Sequence, residues 1–187
     1  MNALELLKED HDRVDRLFQK VKANEDSDNL EIAIQISLEL QPHAHIEETI
    51  FYPALLENGD EELQKIVNEG IEEHRQVHTL LGELAGSKEW TEQLQAKLTV
   101  LMENVEHHVQ EEEGEMFPMV RKQFDEESLA DLAAEMQEQK GIFQKSMERG
   151  KTFLRRQRVC RPCGQLPGKL GPRQEILQSD SRRLGTL

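Results

Sequence analysis

The fold of this chain is decided by the stretch His43-Ala44-His45-Ile46-Glu47-Glu48-Thr49-Ile50-Phe51-Tyr52-Pro53. In a helix, His43 and Glu47 lie four positions apart, so both side chains leave the same face one turn from each other. An imidazole and a carboxylate on an apolar helix face are costly to bury without a partner. A bound metal ion would be such a partner, and the stretch therefore predicts a pair of metal ligands.

Three further segments place metal-ligating side chains on apolar helix faces. Two of them repeat the four-residue spacing, and the third has a single histidine in the place of an apolar residue between Leu7 and Val14. The candidates in these segments are His11, His74 with His78, and His108 with Glu112. Metal binding is therefore the leading hypothesis for the whole chain.

The composition predicts an all-α protein. Hydrophobic residues make up 36% of the chain, charged residues 32% and aromatic residues 4%, with a mean hydropathy of -0.70. This profile is typical of amphipathic helices with solvated outer faces, and few segments show the β-branched alternation of strands.

Apolar periodicity predicts four main helices. The first begins after Asn2, the second near Asp28 with Pro42 kinking or splitting it, the third after Asp60, and the fourth carries His108 and is ended or bent by Pro118. Short connections favour antiparallel neighbours, which predicts an up-down-up-down four-helix bundle. A further amphipathic helix is expected over residues 129–147.

Length and charge define a domain and a tail. Of the 187 residues, 1–150 contain 14 Lys or Arg and 35 Asp or Glu, whereas 151–187 contain 9 basic and 2 acidic residues. We expect 1–150 to form one domain and 151–187, which is rich in Pro and Gly, to be disordered. The acidic domain is expected to repel nucleic acid and anionic membranes, no apolar run is long enough for a membrane span, and cytoplasm is the expected location.

Seven candidate ligands are too many for one ion and suit two. Imidazole and carboxylate donors fit first-row metals such as iron, whereas a structural zinc site would use about four ligands, often thiolates. An oxo or hydroxo bridge would complete the two coordination shells and leave one position open. Dioxygen, peroxide or nitric oxide could bind at that position.

The spaced motifs resemble the hemerythrin-like (HHE) cation-binding domain over roughly residues 3–150. The motifs are Asp10-His11, His43-x-x-x-Glu47-Glu48 with Phe51-Tyr52-Pro53, Glu73-His74-x-x-x-His78, and His108-x-x-x-Glu112-Glu113 with Phe117-Pro118. The resemblance implies a non-haem di-iron centre whose ligands are His11, His43, Glu47, His74, His78, His108 and Glu112. Oxygen-carrying hemerythrins place an Asp five residues after the fourth-helix histidine; here Glu113 has that spacing and is the substitute for Glu112.

Simpler interpretations exist for several of these residues. The histidine pairs could be hydrogen-bonded surface or core groups, and Tyr52 could donate a hydrogen bond near the site or only pack. His45 and His107 lie off the inward face and are interpreted as surface or supporting residues. Cys160 and Cys163 form half of a zinc motif without a second half, and no functional role is assigned to them.

Four functions were compared. The first is a di-iron protein that binds or senses dioxygen or a related small oxidant, with a redox partner protein. The second is an enzyme that removes peroxide or nitric oxide at the same centre, and the third stores or donates iron under stress. A metal-free structural bundle is disfavoured by five histidines at matching positions, and the chain has no nucleophile-base pair or phosphate loop.

Overall fold

The structure, a computed structural model, describes residues 1–24, 27–85, 87 and 89–159, with side chains up to Arg149, and the secondary structure of these residues consists of helices joined by short connections. This part contains no β-strand, which confirms the all-α prediction. Its elements are α1 (Ala3–Lys22), α2 (Leu30–Ile46), a π-helical turn (Glu47–Phe51), α3 (Tyr52–Asn58), α4 (Glu61–Ala85), α5 (Glu92–Glu111), a second π-helical turn (Glu112–Met116), α6 (Phe117–Gln123) and α7 (Glu126–Val159).

Helix starts coincide with side chains that satisfy free backbone N–H groups. Asn2 accepts a hydrogen bond from the N–H of Glu5, whose carboxylate accepts one from the N–H of Asn2. Asp60 accepts from the N–H of Leu63 at 2.9 Å, so both caps expected from the sequence are present.

Of the two outcomes predicted at Pro42, a split of the helix is wrong, and a kink stays a prediction. Helix α2 is not split at Pro42, which is buried within the helix, and it continues to Ile46. The α-helical pattern is interrupted after His43, by the π-helical turn that begins at Glu47. A π turn inserts one residue into a helix, and such turns are common at functional sites.

A polar layer separates two apolar clusters. One contains Leu7 of α1, Ile46 of α2, Val67 of α4 and Met116 beside α5, and the other contains Val14, Leu40, Val77 and Val105 of the same four long helices. α1, α2 and α4 therefore cross from one cluster to the other, and α5 does so through the π-helical turn that continues it. The residues between the two clusters include His11, His43, His74 and His108.

The helices pack so that the polar layer is enclosed. α1 lies against α2, α4 lies against α5 and α2, and α7 covers both α1 and α2. The up-down-up-down order of the bundle stays a prediction, as does its division from a tail. α7 continues to Val159, past the boundary expected at 150, because Arg155, Arg156, Gln157 and Arg158 are good helix formers. Cys160 and Cys163 lie outside the described residues.

Within the described part of the chain, none of the helices combines the length and the apolar character that a membrane span requires.

Candidate metal centre

Six of the seven candidate ligands meet in the polar layer. α1, α2, α4 and α5 each supply one imidazole, and each π-helical turn supplies one carboxylate from its first residue. All six are at most 5% exposed. They are His11, His43, Glu47, His74, His108 and Glu112.

The six residues form two sets of potential ligand atoms. His11, His43, Glu47 and Glu112 make one set, and Glu47, His74 and His108 make the other, with the atoms of each set within 4.8 Å of one another. Glu47 belongs to both, since its Oε2 lies 3.2 Å from Nε2 of His43 and 3.5 Å from Nε2 of His74. The arrangement therefore offers two adjacent cation positions that share one carboxylate.

Several inward-facing atoms of this layer are buried without a hydrogen-bond partner in the described structure. They are Nε2 of His11, both carboxylate oxygens of Glu47 and Oε2 of Glu112, together with Nδ1 of His43. A buried carboxylate without donors is strongly destabilising unless a cation or a proton compensates its charge. The donor set therefore fits a bound metal, because imidazole nitrogen and carboxylate oxygen are ligands of first-row transition metals.

The four imidazoles turn Nε2 inward and Nδ1 towards an outer carboxylate. The Nδ1 atom of His11 lies 2.9 Å from Glu113, that of His74 lies 3.0 Å from Glu48, and that of His108 lies 2.7 Å from Glu73. The Nδ1 atom of His43 lies 3.5 Å from Asp10. Such contacts orient a ligating histidine and fix which nitrogen carries the proton.

These outer carboxylates were not assigned from the sequence, although a signal was present. Each is the sequence neighbour of a ligand, in the pairs Asp10-His11, Glu47-Glu48, Glu73-His74 and Glu112-Glu113. In every case the outer carboxylate serves a histidine on a different element from its own: Asp10 faces His43, Glu48 faces His74, Glu73 faces His108 and Glu113 faces His11.

Tyr52 closes one side of the centre. Its hydroxyl donates a hydrogen bond to Oε1 of Glu112 at 2.8 Å and lies 3.4 Å from Nε2 of both His74 and His108. Burial, together with the charges of Glu112 and Glu47, raises the pKa of Tyr52 well above its usual value, so the hydroxyl keeps its proton. Gly70 makes room for it, because a Cβ there would lie 3.3 Å from the hydroxyl oxygen.

The two inner carboxylates differ in their electrostatics. Burial and the neighbouring Glu112 raise the pKa of Glu47 well above its usual value. Burial acts in the same direction on Glu112, but the imidazoles of His108 and His11 outweigh it and hold the pKa of Glu112 well below its usual range. Burial also lowers the pKa of His43, with His11 adding to the effect. Without a metal, Glu47 is therefore the carboxylate that favours the protonated form.

Two of the outer carboxylates, Glu48 and Glu113, stay ionised. The hydrogen bond with His74 lowers the pKa of Glu48 to about 2, with a further contribution from His78 and against the effect of burial. The hydrogen bond with His11 likewise lowers the pKa of Glu113 to about 2, and Lys8 adds to this.

The structure does not bring His78 into either set. Its side chain is 45% exposed, and its Nε2 lies 2.8 Å from Oε1 of Glu48. Its role as a ligand stays a prediction. The structure also places Glu112 rather than Glu113 among the inner atoms, while His45 lies against Phe143 with ring centroids 4.3 Å apart. His107 is exposed and forms an outer group with Glu73 and Glu111.

Two cavities adjoin the centre. A cavity of about 20 Å³ lies against all four inward imidazoles and is otherwise apolar, with Val14, Leu40, Ala44, Val77, Val105 and Val109 around it. A larger cleft of about 550 Å³ between α1 and α5 reaches His11 from the surface, with Lys8 and Glu113 at its edge.

An all-helical fold with a buried layer of histidines and carboxylates defines a class of cation-binding proteins, and the comparison with known families agrees. The model of the hemerythrin HHE cation binding domain matches residues 2–120. The chain belongs to this family, as the sequence motifs predicted.

Two relatives illustrate the similarity. The crystal structure of a hemerythrin HHE cation binding domain-containing protein from Mycobacterium kansasii is 26% identical, with a TM-score of 0.64, covering 78% of this chain and 89% of that one. The chain is also 24% identical, over 149 residues, to a DNA nickase from Nostoc, which covers 79% of this chain. The chain spans only 41% of the length of that relative.

Proposed function

We propose that the protein holds a non-haem di-iron centre in the polar layer and uses it to bind or sense dioxygen or a related small oxidant such as peroxide or nitric oxide. The observation that carries the proposal is the pair of overlapping ligand sets joined by Glu47, with their inward atoms lacking hydrogen-bond partners. The proposal includes the up-down-up-down bundle expected from the sequence, in which four helices each contribute one imidazole.

The number and type of donors favour two irons over one zinc. A structural zinc site is satisfied by about four ligands, whereas octahedral N/O sites use about six donors each. Four imidazoles and two carboxylates leave coordination positions open on a pair of metals. When bound, iron supplies redox chemistry and an open position for a small ligand.

The surroundings of the centre favour a ligand of very few atoms. The cavity of about 20 Å³ has room for a water molecule or a diatomic molecule, and most of its wall is apolar. Such a wall limits the access of bulk water to the metals. Tyr52 is not part of this wall, and its hydroxyl holds a proton beside Glu112, His74 and His108.

That proton favours, as a second candidate, an enzyme that removes peroxide or nitric oxide, since such reduction consumes protons. Steady-state assays of the iron-loaded protein with peroxide and with nitric oxide would separate turnover from binding. Storage or donation of iron is a third candidate, favoured by the cleft between α1 and α5 that leads to His11. Rapid loss of iron to a chelator would support it.

Nucleic acid is not a proposed partner. The name of the Nostoc relative describes DNA nicking, but this chain spans less than half of that protein. Residues 1–150 here carry 35 acidic and 14 basic residues, a balance that repels the phosphate backbone. We propose instead a cytoplasmic protein with a small oxidant as ligand and a redox protein as partner.

The test is the metal content per chain after anaerobic iron loading, followed by the absorption spectrum on admitting air. We expect about two irons per chain and charge-transfer bands in the near ultraviolet and visible range. Bands that reverse on removal of oxygen would support binding, and lasting bands would support oxidation chemistry or sensing. His45→Ala is the matched control and should load normally. One tightly held zinc, or no metal, would refute the proposal.

A further inference from the structure

Lys140 connects the last described helix to the metal centre. It lies on α7, beyond residues 2–120 that match the family model, and its side chain is 11% exposed. Its ammonium donates a hydrogen bond to Oδ2 of Asp10, which is 2% exposed. A buried lysine is destabilising without a charged partner, so this pair fixes the position of both groups.

Asp10 is shared between cations and an imidazole. Arg13 donates to its Oδ1, Lys140 donates to its Oδ2, and the same Oδ2 lies 3.5 Å from Nδ1 of His43. The other three outer carboxylates lie 2.7–3.0 Å from their histidines. Within the described structure, Nδ1 of His43 is the exception among the four and has no hydrogen-bond partner.

We propose that Lys140 is a positioning residue for His43. By holding Oδ2 of Asp10, the ammonium prevents this carboxylate from accepting a full hydrogen bond from Nδ1–H of His43. A carboxylate hydrogen bond makes a ligating imidazole a stronger donor, so His43 is the weakest donor of the four. The consequence for a metal rests on the proposed di-iron function; the effect on the imidazole does not.

A purely structural role for Lys140 would have a different signature. If the lysine only attached α7 to α1, its removal would lower stability and leave the hydrogen bonding of His43 unchanged. If it positions His43, its removal frees Oδ2, and the contact between Asp10 and His43 shortens to the length found at the other three histidines.

The first experiment uses the full-length metal-free protein and the Nδ1–H proton resonance of His43 measured by NMR. In Lys140→Met we expect this resonance to move downfield, as a stronger hydrogen bond requires, while Lys140→Arg keeps the wild-type position. Lys145→Met is the matched control, because Lys145 is an exposed lysine of the same helix. Should Lys140→Met fail to fold, Lys140→Gln takes its place.

An unchanged His43 resonance in a folded Lys140 variant, or failure of Lys140→Arg to restore it, would overturn the proposal. The second experiment compares reduction potentials of the iron-loaded wild type and Lys140→Met, with a lower potential expected in the variant because His43 donates more strongly. If the wild type takes up no iron, the proposed function fails, while the NMR result still decides the role of Lys140.

Discussion

Residues 43–53 and 108–118 build the centre from the same pattern, yet they give its two sides a different character. Each begins with a candidate ligand histidine, continues with Glu-Glu at the start of a π-helical turn and ends with an aromatic residue before proline. The aromatic residue is Tyr52 in the first segment and Phe117 in the second. Tyr52 brings a hydroxyl to His74 and His108, whereas Phe117 stacks on His11 with ring centroids 6.1 Å apart.

The partners of the outer carboxylates also differ between the two sides of the centre. Glu113 of the second segment is paired with Lys8, and Asp10 with Arg13 and Lys140, so lysine and arginine side chains hold the carboxylates that face His11 and His43. Glu48 of the first segment is paired with His78, and Glu73 lies near His107. The repeated pattern thus specifies where the candidate ligands lie, and the residues around it would make the two proposed metal positions chemically distinct.

Substitution of the two equivalent inner carboxylates should have the largest effect on the amount of bound metal. Glu47 belongs to both ligand sets and Glu112 to one, so Glu47→Ala should lose nearly all bound metal, while Glu112→Ala should retain about one of about two ions per chain. Elemental analysis of the purified, iron-loaded variants measures this. Equal losses in the two variants would show that both carboxylates bridge.

The histidines of α4 are expected to differ almost as much. His74→Ala should halve the metal content or abolish it, with helicity largely intact, because its Nε2 is within the second ligand set. His78→Ala should load like the wild type, since His78 contacts Glu48 in the way that Lys8 contacts Glu113; Lys8→Ala is therefore its control. A loss of metal in His78→Ala would restore His78 to the ligands.

Glu47 and its neighbour Glu48 should affect the stability of the metal-free protein in opposite directions. The raised pKa of Glu47 means that its contribution to stability is present below its usual pKa of about 4.5 and is lost as the pH rises. Glu47→Gln should therefore raise the melting temperature at neutral pH, by about 2–4 °C for each kcal/mol recovered.

Glu48→Gln should have the opposite sign. Because its pKa is lowered to about 2, ionised Glu48 stabilises the fold above its usual pKa of about 4.5. This contribution is lost as the pH falls from about 4.5 towards about 2. Thermal melts at a series of pH values, followed by circular dichroism, measure both variants. Shifts of the same sign at neutral pH would contradict this account of the two carboxylates.

The contrast between Tyr52 and Phe117 predicts an effect on affinity. Tyr52→Phe removes the hydrogen bond to Glu112 and should weaken metal binding about 10-fold, the lower end for such supporting contacts. Phe117→Tyr buries a hydroxyl group. Because this hydroxyl would lack a hydrogen-bond partner, the substitution should destabilise the fold by about 1–3 kcal/mol. Competition with a chromophoric chelator and denaturant titration measure these effects. If Phe117→Tyr tightened metal binding instead, the two sides would be interchangeable.

The smallest effect is expected at Gly70. An alanine there would press on the Tyr52 hydroxyl at 3.3 Å and on Cε1 of His108 at 3.4 Å, and should lower metal affinity slightly. Gly82 lies on the same helix with open space around it, so Gly82→Ala should leave affinity unchanged and stabilise the protein by about 0.5–1 kcal/mol. Similar behaviour of the two variants would remove the link between Gly70 and Tyr52.

The sequence predicted the helices and six residues of the polar layer because apolar periodicity and, in most of the segments, a four-residue spacing leave little freedom in a helix. His43 and Glu47, for example, are brought to one face by local geometry alone. The same rule predicted His78 inside. In the structure it contacts Glu48, a residue from another element whose position no local spacing gives.

The π-helical turns explain other differences. Residue spacing does not reveal an inserted residue in a helix, so the sequence predicted no interruption at Glu47–Phe51 and only a kink or a split at Pro42. Each outer carboxylate faces a histidine of a different element, and Lys140 of α7 contacts Asp10 of α1. Both kinds of contact depend on how distant segments pack. Periodicity alone contains no information on such contacts.

The polar layer between the two apolar clusters also affects cooperativity. Each cluster can be assembled from apolar contacts, but the two are joined through a layer in which both carboxylate oxygens of Glu47 and Oε2 of Glu112 lack hydrogen-bond partners. Without a cation, this layer contributes little free energy to coupling the unfolding of one cluster to that of the other. We therefore expect ions at the centre to act as a coupling element, under which the two ends unfold together instead of separately.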